Sequence, residues 1–523
     1  MAYETRRQFL GNVAQGMVAA SVGWGAALEM GFAPSRAMAD DAPERLRFGP
    51  LSPLVDLLQE TPADRLLPLL VEQLRAGTDL RKLVAAAALA NARSFGGDDY
   101  VGFHTLMALA PAHAMSEELP TASRPLPVFK VLVRNSARIQ EAGFAKKDTL
   151  VPVKPAELSD LSKGSEALRD AVRRKDRDAA ERTFARLAQG RPEDAFNDLV
   201  ATVEDNTEVH RVVLPFRAWE LLSYVGPEHA HTLLRQSVRY CANSEQHNPG
   251  RAKTALAAAL ERHPLNDLPA ATRKADDAWV EKFAQTIFSS SPEDAAAAAA
   301  GALAEGFSAD DVGEAISLVA NQLVLRDPGR TSKHSNAVKP PGSVHGDSVG
   351  VHASDAVHAW RGIARAARGR NAAAAIVLAA YEAATNRMGY GTNDLLTIEP
   401  RPGPDALAKV ASKEPTALLK DLDDAVRTND QERACAITHR YGSLAHGSPG
   451  YEARPLLDVL LRYAVSEDGA LHAEKYYRTT TQEFARTRPA FRWRQFVALA
   501  RVTASEHGRP APGMEEARKL LGV

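Results

Sequence analysis

Along most of the chain, apolar residues recur at intervals of three and four. Asp79–Ala92, Ser165–Leu187, Asp294–Leu325 and Ala372–Thr385 are rich in Ala and other strong helix formers with this spacing, and the pattern predicts amphipathic helices. Runs that alternate β-branched and polar residues are almost absent, so strands are not predicted. The expected fold is all-α. Its breaks fall at Gly143–Gly164, Asp327–Val351 and Met388–Pro404, each rich in Pro, Gly or charge. The second of these, roughly twenty-five residues without helical pattern, is longer than a passive connection usually is, and a lid or wall of a site is expected there.

Weak self-similarity refines the picture. "HTLLRQSVRY" at 231–240 aligns with "RPLLDVLLRY" at 454–463, and "RPLPVFKVLVRN" at 124–135 is a looser copy. A histidine precedes each, at His210, His439 and His104. Uneven spacing excludes a short-period solenoid. The expected architecture is therefore an array of irregularly stacked helical hairpins around a central pocket, each hairpin opening with a histidine-bearing helix.

The N-terminal pattern is different. Thr5-Arg6-Arg7-Gln8-Phe9-Leu10 has the lettering of a twin-arginine export signal, an apolar Gly/Ala-rich stretch follows, and Ala37-Met38-Ala39 has the small-x-small form of a cleavage site. Arg6, Arg7, Ala37 and Ala39 thus mark residues 1–39 as a signal peptide. The mature protein is expected from Asp40, exported to the periplasm or beyond, with the twin-arginine translocase as its partner during export. The breaks divide the remainder into 40–160, 161–326 and 327–523, or leave 40–523 as one continuous domain. No other stretch is long and apolar enough to span a bilayer.

Composition narrows function mainly by exclusion. Lys and Arg total 64 against 65 Asp and Glu, which leaves no net field for nucleic acid or an anionic membrane. Cys241 and Cys435 are the only cysteines, too few for a disulfide scaffold, a Cys-ligated zinc ribbon or a c-type haem site; whether they pair is left open. Gly346-Asp347-Ser348-Val349-Gly350 has the letters of a nucleophile elbow, but "VKPPGSVH" precedes it, and prolines with glycine cannot form the strand that such an elbow requires. Phosphate-loop, dinucleotide and H-E-x-x-H motifs are missing from the sequence.

What remains is a set of histidines in apolar surroundings on or beside predicted helices. Neutral imidazole is a common ligand for iron, copper and zinc, and helical folds assemble such sites from distant segments. His104, His210, His358 and His439 form the expected metal set. His352, His345, His446, Asp347 and Asp355 are secondary candidates, the aspartates as ligands or as groups that orient an imidazole. Ser354-Asp355 is expected to cap a helix, leaving His352 on the preceding loop and His358 near the helix start. His439 and His446 are expected to share one helical stripe. His113, His247, His263, His334, His472 and His507 read as ordinary surface or turn residues.

The segment Tyr100-Val-Gly-Phe-His104-Thr-Leu-Met-Ala-Leu-Ala resembles the questin oxidase-like family, whose helical members carry a similar G-F-H near their N-termini, and the later histidine-headed helices add to the likeness. The resemblance implies a helical array around a deep pocket and oxygen-dependent cleavage or insertion on an aromatic polyketide. It also implies non-haem iron held by several histidines, matched here at His104 by motif and at His210, His358 and His439 by order. A lysine ligand is implied as well, with Lys130 and Lys475 as candidates.

Two functions are therefore expected. One is an exported metal-dependent oxidoreductase, with iron or another divalent transition metal, acting on a small organic and possibly aromatic substrate. The alternative is a helical-repeat binding or scaffold protein of the cell envelope.

Overall fold

The helices begin where side chains are placed to satisfy their first amides. In the computed structural model, which describes residues 45–245, 250–337, 339–344, 348–388, 394–445 and 452–523, Asp99 accepts from the Gly102 amide at 2.8 Å and opens the helix Tyr100–Glu117. Glu208 accepts from the amides of His210 and Arg211, both at 3.1 Å, and opens Val209–Val225. Such caps supply partners for amides that the helix itself cannot bond. Among the described residues there are 23 α-helices and no strands. None of these helices is long and apolar enough to cross a membrane. The fold is all-α, an array of stacked hairpins, and Arg47–Val523 forms one compact unit. Arg6, Arg7, Ala37 and Ala39 lie outside the described residues, as do His345, Asp347 and His446.

Four hairpins matter most. Tyr100–Glu117 folds back onto Pro125–Glu141, Val209–Val225 onto Ala230–Asn243, Val349–Ala366 onto Arg370–Asn386, and His472–Arg486 onto Trp493–Glu506. The first helices of these pairs pack on one another in a closed cycle: Tyr100–Glu117 on Val209–Val225, that on Val349–Ala366, that on His472–Arg486, and the last back on the first. They form a ring of inner helices, with their partners packed outside.

Close approach within the ring depends on small residues. At Gly362 an added Cβ would meet the Phe216 ring at 2.1 Å, and at Gly350 it would meet the Val324 backbone at 2.4 Å. The second glycine of the nucleophile-elbow lettering is thus a helix-packing residue. Ser348, in the same lettering, is the residue preceding the first turn of Val349–Ala366.

Two sequence expectations change here. The helix bearing His352 and His358 begins at Val349, not at Ser354; Ser354 is an interior residue whose hydroxyl donates back to the Gly350 carbonyl at 2.9 Å, a bond open to serine inside a helix. The expected hairpin of Gln431–Leu444 with Ala453–Ser466 does not form: the two helices are consecutive, but the first packs on Trp493–Glu506 and Pro415–Arg427, outside the ring, and the second on His472–Arg486. Cys241 and Cys435 are both buried free thiols.

Candidate metal centre

Each inner helix carries a histidine in its first turns: His104, His210, His352 and His472 are residues five, two, four and one of their helices. Their rings meet. Centroids lie 4.9 Å apart for His104 and His210, 5.7 Å for His210 and His352, 5.7 Å for His352 and His472, and 5.0 Å for His472 and His104. This cycle is the same as the packing order of the helices.

Hydrogen bonds on the outer side of the rings fix their tautomers. His104 Nδ1 lies 2.7 Å from the Tyr100 carbonyl, His210 Nδ1 2.5 Å from the Glu208 carboxylate and His472 Nδ1 3.1 Å from the Ala470 carbonyl. A ring that donates from Nδ1 turns the lone pair of Nε2 the other way. Nε2 of His104 and of His210 is buried with no hydrogen-bond partner. Burial, followed by the nearby charge of Lys475, holds His104 far below the ordinary imidazole range, so it is a neutral donor. Glu208 acts twice, capping the helix and receiving His210. Burial raises its pKa, but the bonds from His210 and Tyr240 outweigh that and bring it to about 2.

The approach to His472 is strained. Gly469, Ala470 and Leu471 have φ of 50°, 46° and 66°, the left-handed region that costs non-glycine residues of order 1–3 kcal/mol each. This run turns the chain so that the Ala470 carbonyl faces the His472 ring. Lys475 follows one turn later and is buried; burial, only partly offset by Asp355, pulls its ammonium down to about 8. Asp355 itself accepts from the Thr479 hydroxyl at 2.8 Å. Aromatic groups line the other side: Phe103 stands 5.0 Å from His104 and 5.1 Å from His210, and Tyr100, 57% exposed, covers His104 at 4.5 Å.

The donor set can be tested against an ion. A metal–nitrogen distance of about 2.0–2.1 Å places each imidazole centroid roughly 3.2 Å from the ion, and neighbouring rings roughly 4.5–5.3 Å apart. The observed 4.9–5.7 Å spacings overlap that range and exceed it slightly. Among the described residues, no group of three or more His, Cys, Asp or Glu forms a ready-made ion-holding site. Imidazole orientation about χ2 is soft and helix placement is not, so the ring spacing, set by packed helices, is the feature that weighs more.

Of the expected ligands, the structure brings together His104 and His210, and adds His352 from the secondary set. It does not bring His358 or His439 to them. His358 points away into a buried layer, its Nδ1 2.7 Å from Glu483, which also pairs with Arg361; its neighbour Phe216 lies edge-on at 5.7 Å. Starting the helix five residues before Ser354 put His352, not His358, in the first turns. His439 is exposed, on the helix outside the ring. Asp355 faces Lys475 and Thr479 rather than the rings. Lys130 is ion-paired with Glu474 and donates to the carbonyls of Ala464 and Glu467 at 2.9 and 2.7 Å, which commits its ammonium elsewhere. His472, read from sequence as an ordinary histidine, is 5% exposed and belongs to the cluster. Its spacing of three from Lys475 was the available signal, since such a pair shares one helical face.

Comparison with models of protein families, with curated proteins and with solved structures gives no significant match in any of the three.

Proposed function

We propose that the chain is a metal-dependent oxidoreductase whose centre is the His104, His210, His352 and His472 cluster, with iron the first candidate and copper or zinc the alternatives. The observation that carries this reading is the convergence of four imidazoles from separate helix starts, two of them with buried, unbonded Nε2 atoms. Neutral nitrogen donors suit these ions and disfavour magnesium and calcium, which prefer oxygen. When bound, iron or copper supplies one-electron chemistry with dioxygen.

The chain's own groups do the rest. Glu208 and the Tyr100 and Ala470 carbonyls hold the rings in register. Lys475 keeps a proton at Nζ one turn from His472, in reach of His104 by charge. Phe103 and Tyr100 offer an aromatic wall beside the rings. The likeness of the Tyr100–Ala110 segment to the questin oxidase-like family supports an oxygen-dependent reaction on a small aromatic compound, and the twin-arginine lettering supports export of the folded chain.

Elemental analysis of protein purified without chelators or a polyhistidine tag tests the proposal. About one equivalent of iron or another first-row metal is expected, with alanine at any of the four histidines losing it and His439→Ala or His263→Ala keeping it. Protein without stoichiometric metal, and without stabilisation by ferrous iron added anaerobically, would leave the scaffold reading in its place.

A further inference from the structure

The four inner helices run parallel from the histidine cluster, and the stretch of each beyond its first turns lines a second feature. Ala110 and Pro111 of the first, Phe216, Arg217, Trp219 and Glu220 of the second, Gly362 and Arg365 of the third, and Arg478 and Arg486 of the fourth surround a cleft of about 640 Å³. At 1.5 Å per residue, these positions lie roughly 9–21 Å from their histidines along the helix axes. The volume is in the range of small-molecule sites.

Charge in the cleft is incompletely balanced. Arg217 pairs with Glu220 at 2.6 Å and Arg365 with Asp310 at 2.5 Å. Among the described residues, the guanidinium of Arg478 is bonded to a neutral group, the Gln482 amide oxygen, at 3.2 Å from Nε and 2.8 Å from Nη2 in the amide orientation that satisfies both of its ends. Arg486 has Glu483 at 3.8 Å, beyond a hydrogen bond, and that carboxylate already serves Arg361 and His358. Glu193, the remaining acidic lining residue, is exposed. Two guanidinium forks therefore face the cleft without a carboxylate of their own, beside the aromatic faces of Trp219 and Tyr224. Burial lowers the pKa of both, that of Arg486 to about 10, and the charge of Glu220 in the same cleft offsets this only in part.

We infer that this cleft binds a small aromatic carboxylate, its carboxyl group on the forks of Arg478 and Arg486 and its ring against Trp219 and Tyr224. Guanidinium forks match carboxylate geometry two bonds at a time, and the indole and phenol faces give the ring an apolar seat. The site is separate from the histidine cluster and does not depend on metal there.

Calorimetry on the full chain with terephthalate as probe tests this. Terephthalate is expected to bind with a Kd below about 1 mM, while neutral terephthalamide and inorganic phosphate bind at least tenfold more weakly. The pair Arg478→Gln with Arg486→Gln should weaken terephthalate about 10–100-fold, the loss of charge-assisted bonds, with metal content unchanged. Arg478→Lys keeps charge but loses the fork and should weaken it a few-fold, which covers the case in which the double variant does not fold. No binding by the wild-type chain, equal binding of phosphate, or undiminished binding by a folded double variant would each overturn the inference. Metal analysis of the same samples separates this outcome from failure of the oxidoreductase reading.

Discussion

The same four helices end in opposite chemistry. At their N-terminal ends the titratable groups are imidazoles in the first turns, and the best-buried of them is held neutral; further along three of the four helices the groups are the guanidiniums of Arg217, Arg365, Arg478 and Arg486. The backbone contributes to the contrast. Four helix N-termini bring their partial positive charge together at the histidines, an effect that fades within about a turn and does not reach a mid-helix residue such as Arg478. A parallel ring thus separates a set of imidazoles from a set of guanidiniums over a few turns. Proteins whose neighbouring helices alternate in direction cancel this polarity; this one sums it.

The largest expected effect is in the buried charge layer beside the cleft. Glu483→Ala removes the one carboxylate shared by His358 and Arg361. Leaving that buried guanidinium uncompensated should cost about 3–5 kcal/mol in denaturant unfolding. If the loss is below about 1 kcal/mol, this charge layer is not what holds the third and fourth inner helices together.

Gly362→Ala attacks the same packing from the backbone side. Its Cβ would meet Phe216 at 2.1 Å, so a loss of about 1–3 kcal/mol is expected from overpacking, with both metal content and terephthalate binding reduced. An effect on one end alone would show that the ends are mechanically independent.

Glu208→Ala acts on the histidine end only. Without the acceptor for His210 Nδ1, the ring loses its fixed tautomer, and metal affinity should fall about 10–100-fold, measured by competition with a chelator, while terephthalate binding stays within twofold.

A further effect concerns pH. Burial pushes Glu506 up to about 8, opposed by Lys130 and reinforced by the neighbouring carboxylate of Glu474. Its folded pKa lies above its unfolded one. Between about pH 4.5 and 8 the unfolded chain therefore binds fewer protons at this site, and stability falls as pH rises. Glu506→Gln should flatten that slope in urea unfolding at pH 5, 6.5 and 8; an unchanged slope would mean that Glu506 is ionised in the folded protein.

Periodicity made the helices legible, and the repeated text at 124–135 and 231–240 marked two hairpins, while its copy at 454–463 lies on a helix that does not pack on the one before it. The histidine set was legible only in part. His104 and His210 stood beside readable starts, after Asp99 and Glu208. His352 was displaced by an N-cap assigned to Ser354, because a serine–aspartate pair is the stronger local signal and nothing in the sequence reveals that Ser354 bonds back to Gly350. His472 was hidden differently. Its helix starts after Gly469-Ala470-Leu471, where two residues without the freedom of glycine adopt left-handed backbone, and tertiary packing rather than local propensity imposes that turn. His439 had the right repeat context and the wrong neighbours, which is a matter of which helices close the ring. The arginine cleft left no local trace, since Arg365, Arg478 and Arg486 look like solvated charge in the sequence.

Closure of the ring has a consequence for the order of events during synthesis. The helix that completes the cycle begins at His472 and packs on the one that begins at Tyr100, so the first and last quarters of the chain must meet before four rings surround one point. Contacts so distant in sequence form late and slowly. Until residues near 486 have left the ribosome, the earlier histidines have no fourth neighbour, and a nascent chain carries at most a partial donor set. On the proposed reading, loading of an ion waits for the finished polypeptide, and C-terminal truncation at residue 470 should yield helical protein that retains no metal.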